Sequence, residues 1–320
     1  PGWIDFHVHV FWGCSHYGIE PDPYCIAKGV TTAVDAGSAG ADAFDGFRKY
    51  VIEKSDTRLF AFLHISSQGL LSKGIGELER MEYANVSKAV EMIQKYPDLM
   101  CGVKVRLTNN LVIPSAGLRP LYLAREAADS VRLPMMVHPQ NAWCENLEDI
   151  LAVMRKGDVL THCFHGFACG LLDDSGTLRP SVQDARERGV IFDVGHGQGS
   201  FKWEIAERAI EKGLLPFTIS SDLHIYNVEG PVFDLATTLS KFLYLGMSLD
   251  DVLARATRHP AQVLGKSDQI GSLKIGACGD AVVFNLESGS FDFEDAHGQC
   301  RTAKKRLTPT NVIRAGKVYR

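Results

Sequence analysis

Eight short runs rich in apolar and β-branched residues, alternating with amphipathic stretches, predict an α/β protein built on parallel strands. The strand runs fall at 4–10, 31–36, 58–65, 101–107, 134–138, 158–163, 190–195 and 217–221. Helical periodicity occupies 83–95, 119–130, 181–188, 203–212 and 232–245. Eight strand–helix units over about 250 residues are what closes a (β/α)8 barrel, and an open doubly wound sheet is the alternative. From about residue 270 the pattern changes to short strands with glycine turns, Ile270-Gly271-Ser272-Leu273-Lys274-Ile275-Gly276 and Ala281-Val282-Val283-Phe284-Asn285. The expected division is therefore a barrel over 1–265 and part of a small β unit over 266–320. Pro1-Gly2-Trp3 leads straight into the first strand with no initiator methionine, so further residues are expected upstream, where they could complete that unit.

Helix ends follow from local chemistry. Ser181-Val182-Gln183-Asp184 has the form of a capping box and Gly189 supplies a stop, while Ser248-Leu249-Asp250-Asp251 repeats the box before a helix expected to end near His259-Pro260.

Composition bounds the function. The chain has 320 residues, 45% hydrophobic and 22% charged, with net charge −4, the profile of a globular protein without the basic field that nucleic acid requires. Its one basic cluster, Lys304-Lys305-Arg306, reads as solvated surface. No apolar run approaches the roughly 20 residues that span a bilayer, and no signal peptide is visible. The eight cysteines form no C-x-x-C and no regular framework, so they read as reduced thiols in a cytoplasmic protein. A catalytic thiol is the minor alternative.

The polar residues at strand ends carry the chemistry. His7 and His9 are two apart on the first run, hence on one strand face at roughly 7 Å, close enough to share a metal ion. Lys104 sits inside the apolar fourth run, His138 ends the fifth, His162 the sixth and Asp222 the eighth. Each alone has a structural reading: a hydrogen-bonded core histidine, a snorkelling lysine, a helix N-cap. Their order across successive strands is harder to dismiss.

This series resembles the amidohydrolase superfamily of metal-dependent hydrolases, as do the opening phrase Pro1 to His9 and His259-Pro260-Ala261 followed by Leu264-Gly265. The resemblance spans nearly the whole chain. It implies a distorted TIM barrel with a small β-sandwich-like domain formed by the chain ends, and two divalent metal ions, most often zinc. His7, His9 and Asp222 would hold one ion and His138 and His162 the other, with Lys104 bridging both as a CO2-derived carbamate. An ammonium has no lone pair to ligate, whereas carbamylation turns the neutral amine into an anion. The ions would activate a bridging hydroxide and polarise the scissile carbonyl, and Asp222 would shuttle the proton to the leaving group. The resemblance also implies an oligomer.

Within the superfamily the look is dihydroorotase-like, with one departure. Dihydroorotases usually carry a carboxylate-gripping arginine two residues after the second histidine, and here Phe11 stands there. Thr161-His162-Cys163-Phe164-His165-Gly166 and Asp193-Val194-Gly195-His196-Gly197-Gln198-Gly199-Ser200-Phe201 instead resemble a deacetylase branch. That implies loss of acetyl from a small N-acetyl amino acid or O-acetyl α-hydroxy acid, acetyl-(R)-mandelate being the type to test first. Phe11 and Trp12 would suit an aromatic substituent, though packing explains them equally well. The 195–199 loop lacks the third glycine of G-x-G-x-x-G, which argues against dinucleotide binding. Its glycines are expected to bring backbone close to substrate, with His196 donating a hydrogen bond and Gly197 beside it. Arg106, His165 and His224 are weaker candidates for the same shell, each with a structural reading ahead of it, and His16, His64, His259 and His297 read as structural or surface residues. The long 164–179 loop is expected to enclose substrate. The alternatives are cyclic amide hydrolysis, of the dihydroorotase or hydantoinase kind, and a barrel that has lost catalysis and serves as a scaffold.

Overall fold

The computed structural model describes residues 1–143 and 147–319. Seven parallel strands lie side by side in sequence order: β1 (Trp3–Val8), β2 (Val30–Gly40), β3 (Arg58–His64), β4 (Met100–Arg106), β5 (Met135–His138), β6 (Val159–Leu160) and β7 (Ile191–Phe192). Every residue of β1 and β2 is buried, as expected of parallel strands covered on both faces. The pairing register places Phe62 and Gly102 one layer below His64, Lys104 and Met136. Successive residues on one strand face therefore build an apolar floor of Ile4, Phe6, Val34, Phe60, Phe62, Met136 and Val159, with Lys104 and His138 on the same face. A larger cluster that includes Trp3, Phe44, Phe47, Leu121, Trp203 and Phe242 forms the other core.

The predicted eighth strand at 217–221 is not a regular strand. It still closes the ring, because Thr218 bridges Asp193 on one side and Leu223 bridges Val8 on the other. Val194 N donates to Thr218 O and Asp222 N to His7 O, so part of a ladder is kept, while Ser221 N and Oγ turn to Asp5 at 3.0 and 2.5 Å. Asp222 then turns the chain out of the sheet with φ 50°.

The five predicted helices form at Val86–Lys95, Arg119–Val131, Pro180–Arg188, Trp203–Glu211 and Leu235–Tyr244. Two of the predicted ends differ. Arg179, not Ser181, is the N-cap of the third helix, because Pro180 takes the first helical position, where its missing N–H costs nothing, and Ser181 Oγ donates to Glu148 instead. His259-Pro260 does not end a helix but lies in the first turn of a short one, Arg258–Val263. The Ser248 cap forms as predicted, accepting from Asp251 N at 3.1 Å.

At the end of the chain, β8 (Ala281–Glu294), β9 (Cys300–Arg314) and β10 (Lys317–Tyr319) make a three-stranded antiparallel sheet in the order β10-β9-β8. The strands are longer than predicted, and 270–276 forms turns rather than a strand. The extension is tertiary in origin: Phe293, Ala303 and Leu307 are buried, and Leu307 N donates to Ser240 Oγ of the Leu235–Tyr244 helix at 2.9 Å.

No two of the described cysteines are joined to each other by a disulfide; Cys144 lies outside the described residues. Burial pushes the Cys163 thiol well above its ordinary range and Cys101 up to about 12, which removes both as nucleophiles. No described helix is long and apolar enough to cross a membrane.

Candidate metal centre

The carboxyl ends of the strands converge on one cavity of about 510 Å³, lined by His7, His9, Lys104, His138, His162 and Asp222 together with Arg106. Ligand atoms of His7, His9 and Asp222 all lie within 4.8 Å of one another. Asp222 Oδ1 stands 3.4 Å from His7 Nε2 and 3.3 Å from His9 Nε2. The His138 and His162 rings lie 4.4 Å apart, and the His162 ring is 4.9 Å from that of His7. All six residues of the predicted series are therefore brought together.

Whether they suit metal ions is decided by what their other atoms do. His7 Nδ1 lies 2.8 Å from Thr161 Oγ1, which donates its own hydrogen bond to Asp193 Oδ2 at 2.8 Å. His9 Nδ1 lies 2.8 Å from Ser38 Oγ, and His162 Nδ1 donates to Gly195 O at 2.7 Å. On His7 and His162 these partners can only accept, which sets the proton on Nδ1 and leaves Nε2 with its lone pair. On His138 the roles reverse, since Nε2 meets Thr108 Oγ1 at 3.0 Å and Nδ1 is left over. Such outer partners are what orient ligating imidazoles. Among the described residues His7 Nε2 and Asp222 Oδ1 are buried without a hydrogen-bond partner, a costly condition that a cation would relieve. Burial holds all four imidazoles well below their ordinary pKa, so they stand neutral. Among the described residues His7, His9 and Asp222 fit a divalent ion.

Lys104 is 1% exposed, with Nζ 3.4 Å from Met136 Sδ. Burial lowers its pKa to about 7, which makes the neutral amine needed for carbamylation available near neutrality. Gly37, at φ +89°, clears the space for its stem, because a Cβ there would sit 2.6 Å from Lys104 Cβ. Burial likewise raises the Asp222 carboxyl to about 6. His162 and Asp222 both hold left-handed backbone, φ 60° and 50°, a strain of about 1–3 kcal/mol each that is typical of functional positions.

Several expected roles fall elsewhere. His196 does not line the cavity: its ring stacks on Phe201 at 4.6 Å and its Nε2 meets Lys241 Nζ at 2.7 Å, so it has no proton to offer a substrate there. Gly197 is not among the lining residues either, and its close approach is to Asp222, whose Oδ2 a Cβ would strike. Gly197→Ala is thus expected to lower metal content or kcat by at least about tenfold while the chain stays folded, checked by metal analysis and circular dichroism; a fully active, metal-replete variant would count against the contact. Phe11 is buried with its ring 4.8 Å from that of Phe47, and the aromatic cavity walls are instead Tyr17 and Phe167. Phe167 is the one contribution from the 164–179 loop. His224 lines the cavity and His165 does not; His16, read as structural, does.

Arg106 lines the cavity with its guanidinium 5.4 Å from the Tyr17 ring centre. The buried carboxylate of Glu77 stands 2.8 Å from Arg106 Nε as an ion pair, off the direction of a hydrogen bond. Glu77, Lys73 and Asn110 gave no sequence signal, because they sit in loops after β3 and β4 with no periodic or motif context.

A ring of parallel strands carrying histidines, a buried lysine and an aspartate at their carboxyl ends defines a hydrolase class. The amidohydrolase family profile matches residues 1–319, and the chain belongs to that family, which generally uses a binuclear metal site. The chain is 36% identical over 322 residues to a deacetylase of Enterococcus faecalis, covering 99% of this chain and 85% of that protein. It is also 36% identical over 317 residues to Deacetylase Atu3266 of Agrobacterium fabrum, covering 98% of this chain and 76% of that protein. Among solved structures, an adenine deaminase superposes with TM-score 0.94 at 36% identity, over 99% of this chain and 86% of that one. A dihydroorotase superposes with TM-score 0.91 at 34% identity, over 100% of this chain and 85% of that one.

Proposed function

We propose that this amidohydrolase is a deacetylase that cleaves the acetyl ester or amide of a small α-hydroxy or α-amino acid. The observation that carries this reading is the placement of Arg106 in the same cavity as the six-residue array, with the buried Glu77 carboxylate compensating its charge at Nε. A planar guanidinium offers two parallel donors to a carboxylate, the group such substrates share. The deacetylase names of the relatives point the same way.

His7, His9 and Asp222 would hold one divalent ion and His138 and His162 the other, zinc being the expected metal and the Lys104 carbamate the bridge. Bound ions would supply an activated water near neutral pH and polarise the acetyl carbonyl. Asp222 would take the proton released as the water oxygen bonds to the acetyl carbon. It would return that proton to the departing alkoxide or amine, so that acetate and the free acid leave. Asn110, Gln140, Asn141 and Lys73 line the cavity beyond the array and give it a polar, cationic wall suited to an anionic substrate.

Hydrolysis of paired N-acetyl and O-acetyl (R)- and (S)-acids by the metal-replete protein tests the reading directly; no turnover of any pair would sink it. Arg106→Ala is expected to raise KM for acetylated acids roughly 10- to 100-fold, the worth of a charged hydrogen bond, and to leave their methyl esters little changed. Equal losses on acids and methyl esters would remove Arg106 from carboxylate binding.

A further inference from the structure

We propose that Lys241, which has no place in the cavity, is a positioning residue that fixes the 195–197 turn on which His162 and Asp222 rest. The proposal builds on the reading that those two residues belong to the reacting site.

Lys241 lies in the Leu235–Tyr244 helix and is fully buried, at 0% exposure. A buried ammonium is costly unless each of its three protons is met. Here each is: Nζ stands 2.7 Å from His196 Nε2, 2.9 Å from Pro231 O and 2.7 Å from Glu294 O. Burial lowers its pKa to about 7 and the carboxylates of Asp295, Glu294 and Asp234 act the other way. The Gly197 carbonyl, 3.0 Å from His196 Nδ1, can only accept, so the neutral imidazole keeps its proton there and turns the Nε2 lone pair to Lys241; with three acceptors Nζ then carries three protons and the charge.

The consequence is a fixed tautomer. With Nε2 accepting from Lys241, the His196 proton sits on Nδ1, which lies 3.0 Å from Gly197 O. The ring is held flat on Phe201, 4.6 Å away, and Lys241 Nζ lies 5.9 Å from the centre of the same phenyl ring. The side chain of His196 is therefore fastened on one side of the turn, and the turn's main chain works on the other. Gly195 O takes the His162 Nδ1 proton at 2.7 Å. His196 N and Gly197 N donate to Ser220 O at 3.2 Å and Ser221 O at 3.0 Å, the two residues that lead into Asp222. Gly197 packs so closely on Asp222 that no Cβ fits. A linear side chain of equal volume without the charge would leave two buried carbonyls and one imidazole nitrogen unmet. It would also free His196 to change tautomer and the turn to shift against both residues.

The test begins on the unmodified protein. Histidine ¹⁵N NMR of the metal-replete enzyme should show His196, assigned by its loss in H196F, as the neutral tautomer with the proton on Nδ1 and an accepting Nε2. A proton on Nε2 overturns the proposal whether or not any variant folds. In the cobalt-substituted enzyme, K241M should shift the ligand-field bands, loosen metal retention about tenfold and lower kcat more than it raises KM. K241Q, which keeps a donor toward His196, should recover part of each. H196F placed in the K241M background should add little, because the two act in one chain of contacts. An unchanged cobalt spectrum and kcat alongside a lowered Tm would leave Lys241 a structural staple and defeat the proposal. A wild-type enzyme inert toward acetylated acids would sink the deacetylase reading alone; the tautomer and the cobalt shift would still support this one.

Discussion

Asp222→Asn is expected to lower kcat by about 10²–10⁴-fold, the range lost when a positioned acid–base group is removed. Asparagine keeps the volume and one oxygen near His7 and His9 Nε2, which stand 3.4 and 3.3 Å from Oδ1, so part of the metal should be retained. What asparagine cannot do is take a proton. The sign of the accompanying pH effect follows from the same role: the base must be ionised, so wild-type activity falls as pH drops through its pKa. Burial raises that pKa to about 6 in the metal-free protein, and bound cations would favour the carboxylate, placing the acidic limb of kcat/KM below about 6. Rate profiles against pH, with metal analysis on the same samples, check both statements. A variant within a few-fold of wild type at equal metal content would take proton transfer away from Asp222.

Lys104→Ala is expected to abolish measurable turnover, a loss of at least about 100-fold, with fewer bound ions per chain. The wild-type protein should show a carbamate carbon by ¹³C NMR after growth or incubation with labelled bicarbonate, and lose it with metal on removal of carbon dioxide. Because burial brings the amine to about 7, carbamylation should slow as pH falls below that value and the ammonium form takes over. An unmodified Lys104 beside a fully active enzyme holding one ion would exclude the bridge.

Much of this site is legible in the sequence because it is written at short range. A two-residue spacing on a strand puts His7 and His9 on one face, and parallel strands bring each strand end to one rim, so Lys104, His138, His162 and Asp222 could be read from where their apolar runs stop. The eighth segment marks the limit of that reading. Its apolar pattern is a strand's, yet Asp5, 216 residues away, takes the Ser221 N–H out of the ladder.

What a ring nitrogen, a loop carboxylate or a turn does was settled only by the tertiary structure. The partners that orient His7, His9, His138 and His162 lie 154, 29, 30 and 33 residues away, and no local pattern specifies a hydrogen bond across such gaps. His196 shows the same limit from the other direction. Its glycine-rich surroundings allowed a side chain facing substrate, and the helix carrying Lys241, 45 residues on, turned it away. Strand period and strand order come from the chain's own covalent geometry and hydrophobic pattern, and these brought the six-residue series to one rim. The direction of each polar side chain depends on which buried donor or acceptor it must satisfy, and that partner exists only once the fold has closed.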